Sequence, residues 1–229
     1  AERKRKMLVA MATGTGKTFM AVNAVYRLLK SGVAKRVLFL VDRKSLAAQT
    51  AVSFSAYSTP AGNKFNQEYE LFSQRFRKDD FEEGDKFDIN ELPNEYLTKP
   101  DATKTFVYVA TIQRLAIDLL GKSAVFTDDS NDADREDGDK KDIPIHAFDI
   151  IIADECHRGY TSQDASVWRT VLEYFDAIKI GLTATPALHT VAYFNDPVSR
   201  YPIEDAILDG YLVDYNAVKI NSGIRIDRK

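Results

Sequence analysis

Met11-Ala12-Thr13-Gly14-Thr15-Gly16-Lys17-Thr18 is the stretch from which the fold follows. It lies between a short apolar run, Met7 to Met11, and a segment with helical spacing, Thr18 to Lys30. Strand, glycine-rich turn and helix in that order make a phosphate cradle. Gly14 and Gly16 can take backbone angles closed to other residues, which turns successive N–H groups inward toward phosphate oxygens. The helix that follows adds the positive end of its dipole. Lys17 is expected to reach the β and γ phosphates of a nucleoside triphosphate as a point charge, and the hydroxyl of Thr18 to join a Mg²⁺ shell. Met11 stands where the usual pattern opens with glycine, at the position least engaged in the chemistry. The competing reading, a glycine-rich turn followed by a chance Lys-Thr, does not explain why a strand precedes the turn and a helix follows it.

Working outward, apolar runs bounded by turn residues recur at Arg36 to Val41, Phe106 to Ala110, Phe148 to Ala153, Ile178 to Leu182 and Leu212 to Ile220. Runs of about four to eight residues, apolar on both faces, suit parallel strands buried between helix layers. Helical stretches lie between them. Thr18 to Lys30 carries Val22, Val25, Tyr26 and Leu29 on one face and stops at Gly32. Ile112 to Leu120 has Thr111 as a cap and Gly121 as its end, and Pro202 opens another helix that Gly210 closes. A further helix, around Ala165 to Phe175, follows Thr161 with Asp164 three residues on, a capping-box pattern. The alternation predicts an α/β fold with a doubly wound, mostly parallel sheet and helices on both faces. Two stretches interrupt it: an expected insertion at about 55–104 with some structure of its own, and an acidic loop at about 128–142.

The run Phe148 to Ala153 delivers Asp154, Glu155, Cys156 and His157 at its carboxyl end, where ligands bind in open α/β sheets. Asp154 is placed to hold Mg²⁺, and Glu155 to orient and deprotonate an attacking water. By itself an acidic pair is more often a helix cap or surface charge; a phosphate loop on another strand of the same sheet reverses that preference. Adjacent residues on an extended chain face opposite ways, so Cys156 and His157 are not read as a thiol-protease pair, and Cys156 is assigned to packing. Thr183, Ala184 and Thr185 finish another strand, a weak signal equally suited to a terminating turn.

At 229 residues the chain has room for one generous α/β domain. No apolar run approaches the roughly 18 residues of a membrane span, and the single Cys156 cannot form an internal disulfide, so a cytoplasmic, non-membrane protein is expected. The net charge is −3, of which Asp128 to Asp142, with eight acidic and three basic residues, supplies −5. The remainder is close to neutral, so a DNA partner would be met by local patches rather than by a basic face. The chain lacks an initiator methionine and reaches its phosphate loop within about a dozen residues, which reads as part of a larger protein.

Together these motifs resemble the superfamily 2 helicases and translocases: Thr13 to Thr18 matches motif I, Asp154 to His157 reads DECH as in motif II, and Thr183 to Thr185 reads TAT as in motif III. A closer likeness covers most of the chain. Val37 to Gln49, Phe106 to Leu115, Ile143 to Tyr160, Ser166 to Thr190 and Tyr201 to Val213, with Ser73 to Phe76 in the insertion, are similar to the motor region of type I restriction enzyme R subunits.

The resemblance implies the first RecA-like lobe of a P-loop NTPase. It would bind ATP and Mg²⁺ through Thr13, Gly14, Thr15, Gly16, Lys17 and Thr18, with Thr18 and Asp154 toward the metal. Lys17, Asp154, Glu155 and His157 would be catalytic, while His157, Thr183 and Thr185 would couple the nucleotide to a DNA track. It also implies motifs Ia and Ib on the DNA backbone. Arg43, Lys44, Thr111, Gln113 and Arg114 are suitable phosphate donors at strand ends, though ordinary surface polarity explains them about as well. The expected whole is an ATP-dependent translocase within a type I site-specific deoxyribonuclease, acting on double-stranded DNA with methyltransferase and specificity subunits. The family's arginine finger belongs to a second lobe, so the chain alone is expected to hydrolyse ATP very slowly, such a finger being worth about 10³ to 10⁵ in rate. Two alternatives stand beside this: another superfamily 2 enzyme, such as a repair helicase or a type III restriction subunit, and a nucleotide-gated binding module that does not hydrolyse.

Overall fold

The computed structural model describes residues 4–76, 89–121, 139–157 and 162–214, with side chains from 166 in the last segment. Its strands are β1 (Lys6–Met11), β2 (Arg36–Val41), β3 (Glu70–Ser73), β4 (Asn90–Glu91), β5 (Phe106–Thr111), β6 (Ile150–Ala153), β7 (Ile178–Thr183) and β8 (Ser199–Tyr201). Its helices are α1 (Lys17–Lys30), α2 (Lys44–Ala56), α3 (Phe65–Glu68), α4 (Asn94–Thr98), α5 (Ile112–Leu120), α6 (Ser162–Tyr174), α7 (Leu188–Phe194) and α8 (Ile203–Leu208). The strands form one sheet in the order β4-β3-β5-β2-β6-β7-β1-β8, and every neighbouring pair is parallel.

The pleat sorts the core into two layers. Val37, Phe39 and Val41 of β2, Val107 and Val109 of β5, and Ile150 and Ile152 of β6 pack with α1 and α2. Leu38, Leu40, Tyr108, Ala110, Ile151 and Ala153 face the other way, onto α5, Trp168, Val171 and Leu172 of α6, and Phe194 of α7. Connections that run from β1 toward β3 thus carry their helices on one face, and those that run back toward β8 carry theirs on the other, as right-handed crossovers require. This is the doubly wound arrangement expected, with a sheet that is wholly rather than mostly parallel.

Segment 55–104 contributes β3 and β4 to the sheet itself. Its Phe65, Leu71 and Leu97 are buried, and Glu68 accepts hydrogen bonds from Tyr26 of α1 and from Thr59, tying the segment to the α1 layer. Leu212, Val213 and Asp214 are not in a strand, and the remainder of the expected run to Ile220 lies outside the described residues. So do Thr161, the side chains of 162–165 that would complete its cap, and most of the acidic stretch. Of that stretch, Lys141 is described: with Arg114 it lies 3.1 and 3.0 Å from Oδ1 of Asp118, a carboxylate with no exposed side-chain surface, and so pins this part of the chain to α5. Among the described residues, no helix is long and apolar enough to cross a membrane.

Candidate nucleotide site

In a parallel sheet all strands end at one edge, and β6, β7 and β1 are consecutive there. The register places Ala153 of β6 beside Gly181 of β7, and Thr183 of β7 beside Ala10 of β1. The acidic turn, the Thr183 hydroxyl and the phosphate loop are thereby brought to neighbouring strand ends.

The phosphate loop begins as a turn in which the N–H and the hydroxyl of Thr15 both donate to the Ala12 carbonyl, at 3.4 and 2.6 Å. Gly14 and Gly16 have φ of +82°, a region in which a Cβ would clash with the backbone, so glycine is required at both. Gly16 then takes the N-cap place of the 14-residue α1 with no side-chain cap, leaving the first-turn N–H groups to the loop's interior. A Cβ built on Gly16 would meet nothing within 4 Å among the described residues, so it is the backbone conformation and not crowding that calls for glycine there.

From the first turn of α1, Lys17 crosses above the end of β7. Its Nζ lies 2.5 Å from Oε1 of Glu155 and 3.7 Å from Oδ1 of Asp154, and its side chain is only 9% exposed. Asp154 continues the ladder by donating its N–H to the Leu40 carbonyl, and its carboxylate accepts the Glu155 N–H at 2.9 Å. Burial pushes the Asp154 carboxyl above its ordinary value; Lys17 works against that and the Glu155 charge adds to it. Glu155 has φ of +50°, a conformation that costs a non-glycine residue about 1 to 2 kcal/mol. Cys156 holds that turn in place by donating its N–H to the Leu182 carbonyl.

The expectation of an extended DECH segment is corrected here: residues 154–157 form a turn, because β6 ends at Ala153. The separation of Cys156 from His157 survives for a different reason. Cys156 is buried against Gly181 and Phe194, and burial pushes its thiol up to about 12, which suits packing rather than nucleophilic chemistry. His157 turns the other way, with Nδ1 2.8 Å from the Thr183 hydroxyl and 3.2 Å from Oε2 of Glu155. The ring tautomer decides which of these groups donates. Thr183 is fully buried, whereas Thr185 is exposed and joins the cluster through its N–H, which donates to the Thr183 hydroxyl at 3.2 Å.

The residues proposed to track DNA separate into two kinds. Arg43 is 64% exposed just past the end of β2, with Lys44 beginning α2, and Gln113 is half-buried in the first turn of α5. Thr111 and Arg114 instead have internal duties. The Thr111 hydroxyl donates to Gln74 and accepts the Arg114 N–H as the cap of α5, at 2% exposure, while the Arg114 guanidinium is held on Asp118. Gln74, which also accepts the Thr111 N–H at 2.7 Å, stood in the Ser73 to Phe76 stretch noted for its resemblance, where it was given no role. Asp118 had a signal in the sequence, an acid in an otherwise apolar stretch four residues after an arginine.

Among the described residues no group of three or more His, Cys, Asp or Glu side chains is arranged to hold a metal by itself. Two concavities, of about 370 and 430 Å³, lie at the opposite, amino-terminal edge; the first is bordered by the ion pairs Arg5–Asp176 and Lys6–Glu173. Neither meets the glycine loop.

Residues 1–188 match the family model described as type III restriction enzyme, res subunit. The chain is 35% identical over 226 residues to the type I restriction enzyme EcoKI endonuclease subunit of Escherichia coli (strain K12), covering 92% of this chain and 16% of that subunit. Against the type I restriction enzyme EcoAI endonuclease subunit of Escherichia coli the identity is 32% over 225 residues, covering 95% and 22%. The chain therefore spans less than a quarter of either relative. A solved structure of the ATP-dependent Type ISP restriction-modification enzyme LlaBIII bound to DNA aligns with a TM-score of 0.57 at 19% identity, covering 92% of this chain and 15% of that one. At that identity the likeness is one of fold.

Proposed function

Because the chain belongs to the helicase-like family described as type III restriction enzyme, res subunit, we propose that it is the ATP-hydrolysing first RecA-like lobe of a double-stranded DNA translocase, within a type I restriction endonuclease subunit. The observation that carries this is the meeting of Lys17 with Glu155 and Asp154, residues 138 and 137 positions apart in the chain, beside a loop turned by two glycines of positive φ.

The cradle and the acidic pair fit a magnesium nucleotide. Thr18 and Asp154 would hold the ion, whose chemistry is to neutralise phosphate charge, and Asp154, buried and raised, gains from a cation beside it. The loop N–H groups from Gly14 onward take phosphate oxygens. Lys17 exchanges its carboxylate partners for phosphate, since the two compete for one ammonium. Glu155, released from Lys17, orients a water and accepts its proton. His157 links Glu155 to Thr183 at the end of β7, so a shift of the carboxylate is felt by the strand end that leads to Thr185. Arg43, Lys44 and Gln113 are the backbone donors proposed for DNA, on the far side of β6 from the phosphate loop.

Methyltransferase and specificity subunits as partners, the cytoplasm as compartment and slow turnover by the chain alone complete the reading. The description of the family model keeps a type III subunit as a second reading; the type I relatives favour the first. Copurification of the longer protein with methyltransferase and specificity subunits separates the two. Calorimetry with Mg·ATP tests the site: Lys17→Ala is expected to weaken binding at least tenfold, and Glu155→Gln to retain binding while losing single-turnover hydrolysis. Unchanged affinity in Lys17→Ala, or unchanged hydrolysis in Glu155→Gln, refutes it.

A further inference from the structure

The edge strand β8 runs parallel to β1 with Tyr201 opposite Met11, and Ala12, which opens the phosphate loop, donates its N–H to the Tyr201 carbonyl at 2.9 Å. Pro202 then starts α8, which ends in a Schellman turn. Gly210 N–H bonds the Ile207 carbonyl at 3.0 Å, and the N–H groups of Tyr211 and Leu212 bond the Ala206 carbonyl at 2.9 and 3.0 Å. The φ of +78° at Gly210 makes the reversal, and the Tyr201 hydroxyl donates to Asp209 at 2.8 Å across the mouth of the hook.

That reversal carries Leu212 back onto the phosphate loop. A Cβ built on Gly14 would lie 3.3 Å from Cδ2 of Leu212, and no other described atom beyond the adjoining residues would come within 4 Å of it. Leu208, Tyr211 and Val213 are 84%, 74% and 90% exposed; Leu212 among them is half-buried. One apolar side chain of an otherwise solvated segment is thus seated on the glycine whose left-handed turn opens the cradle.

We infer that Leu212 is a positioning residue for the phosphate loop, and that triphosphate binding at the loop and seating of residues 209–214 stabilise each other. The inference rests on the nucleotide reading above. Glycine loses more conformational freedom on ordering than any other residue, so a loop built on Gly14 and Gly16 binds phosphate more tightly when part of that ordering is already in place. The Leu212 methyl group restrains Gly14 from the side on which a Cβ would stand. By linkage, phosphate that orders Gly14 strengthens the seat of Leu212 by the same factor. Residues 209–214 therefore report the nucleotide state of the loop.

The test measures Mg·ADP affinity by calorimetry on the 229-residue chain, with amide exchange of residues 206–214 followed with and without nucleotide. Leu212→Ala is expected to weaken binding about five- to tenfold, with Leu212→Met rescuing it to within about twofold, as a coupling of this kind predicts. Tyr211→Ala, on the exposed neighbour, leaves affinity unchanged. Nucleotide slows exchange at the Tyr211 and Leu212 amides in the wild type and loses that effect in Leu212→Ala. Equal affinities for Leu212→Ala and wild type, or no slowing in a wild type that binds Mg·ADP, overturn the inference and leave the nucleotide reading intact. A wild type that fails to bind Mg·ADP overturns the nucleotide reading and this inference with it. Should Leu212→Ala unfold, Leu212→Met and the wild-type exchange data decide alone.

Discussion

Gly181→Ala is the perturbation that best separates packing from chemistry at this site. The added Cβ would lie 2.9 Å from Sγ of Cys156 and 2.9 and 3.0 Å from two ring carbons of Phe194, where ordinary contacts are about 3.5 to 4.0 Å. Something has to move by about 0.5 to 1 Å, and both neighbours are buried, Cys156 at 8% and Phe194 at 3% exposure. Overpacking of this kind costs about 1 to 3 kcal/mol, read as a lowered urea midpoint at constant slope. The chemical consequence is separate. Cys156 lies between Glu155 and His157, so displacing it displaces both from Lys17 and Thr183. Catalytic groups tolerate about 0.5 Å, and a shift near 1 Å costs about a hundredfold in rate. Single-turnover ATP hydrolysis is therefore expected to fall about ten- to hundredfold. Adding Cys156→Ala removes one of the two clashing groups and is expected to restore part of both losses, with a coupling energy of about 0.5 to 3 kcal/mol in the double-mutant cycle. Stability within about 0.3 kcal/mol of wild type, or no recovery in the double mutant, refutes the packing argument.

Two further outcomes follow from hydrogen bonds elsewhere. Thr183→Val keeps the shape of a fully buried side chain and removes the hydroxyl shared by His157 and the Thr185 N–H; the expected cost is about 1 to 2 kcal/mol in urea unfolding, with slower single-turnover hydrolysis and retained nucleotide affinity. An unchanged hydrolysis rate removes Thr183 from the working site. Asp149 is partly buried, which by itself raises its carboxyl, but the Arg36 guanidinium and the N–H groups of Lys35 and Arg36 outweigh this and hold it below its ordinary 3.8. A depressed carboxylate adds stability at pH values above its unfolded value and loses it as the pH falls through the folded one. After allowance for solvent screening, Asp149→Asn is expected to cost about 1 to 2 kcal/mol at neutral pH. The gap to wild type should close below about pH 4, and a gap constant from pH 7 to pH 3 contradicts the assignment.

How much was legible beforehand differs element by element. β2 and α5 match their expected bounds, and β1, β5, β7 and α1 fall within a residue of theirs, because each is a dense apolar run or an amphipathic stretch with capping residues at its ends. α2 escaped notice since Lys44–Ala56 is rich in alanine and serine and carries little periodic contrast. β3, β4 and β8 are four, two and three residues long, too short for an alternation to register. Among the site residues, Thr111 and Arg114 were read as outward donors because polarity at a strand end suggests exposure, and only packing shows Gln74 and Asp118 beneath them.

The sequence by itself determined the glycine loop, the lysine after it, the acidic pair at the end of a buried run and the alternation of the longer strands with helices, because these depend on backbone freedom and on a side-chain period that neighbouring residues carry. Tertiary structure alone decided that β7 stands between β6 and β1, and hence that Lys17 meets Glu155, that His157 finds Thr183, and that Leu212 lands on Gly14. Strand order is set by the summed burial of two helix layers and the handedness of their crossovers, a property of the whole chain that no local stretch contains.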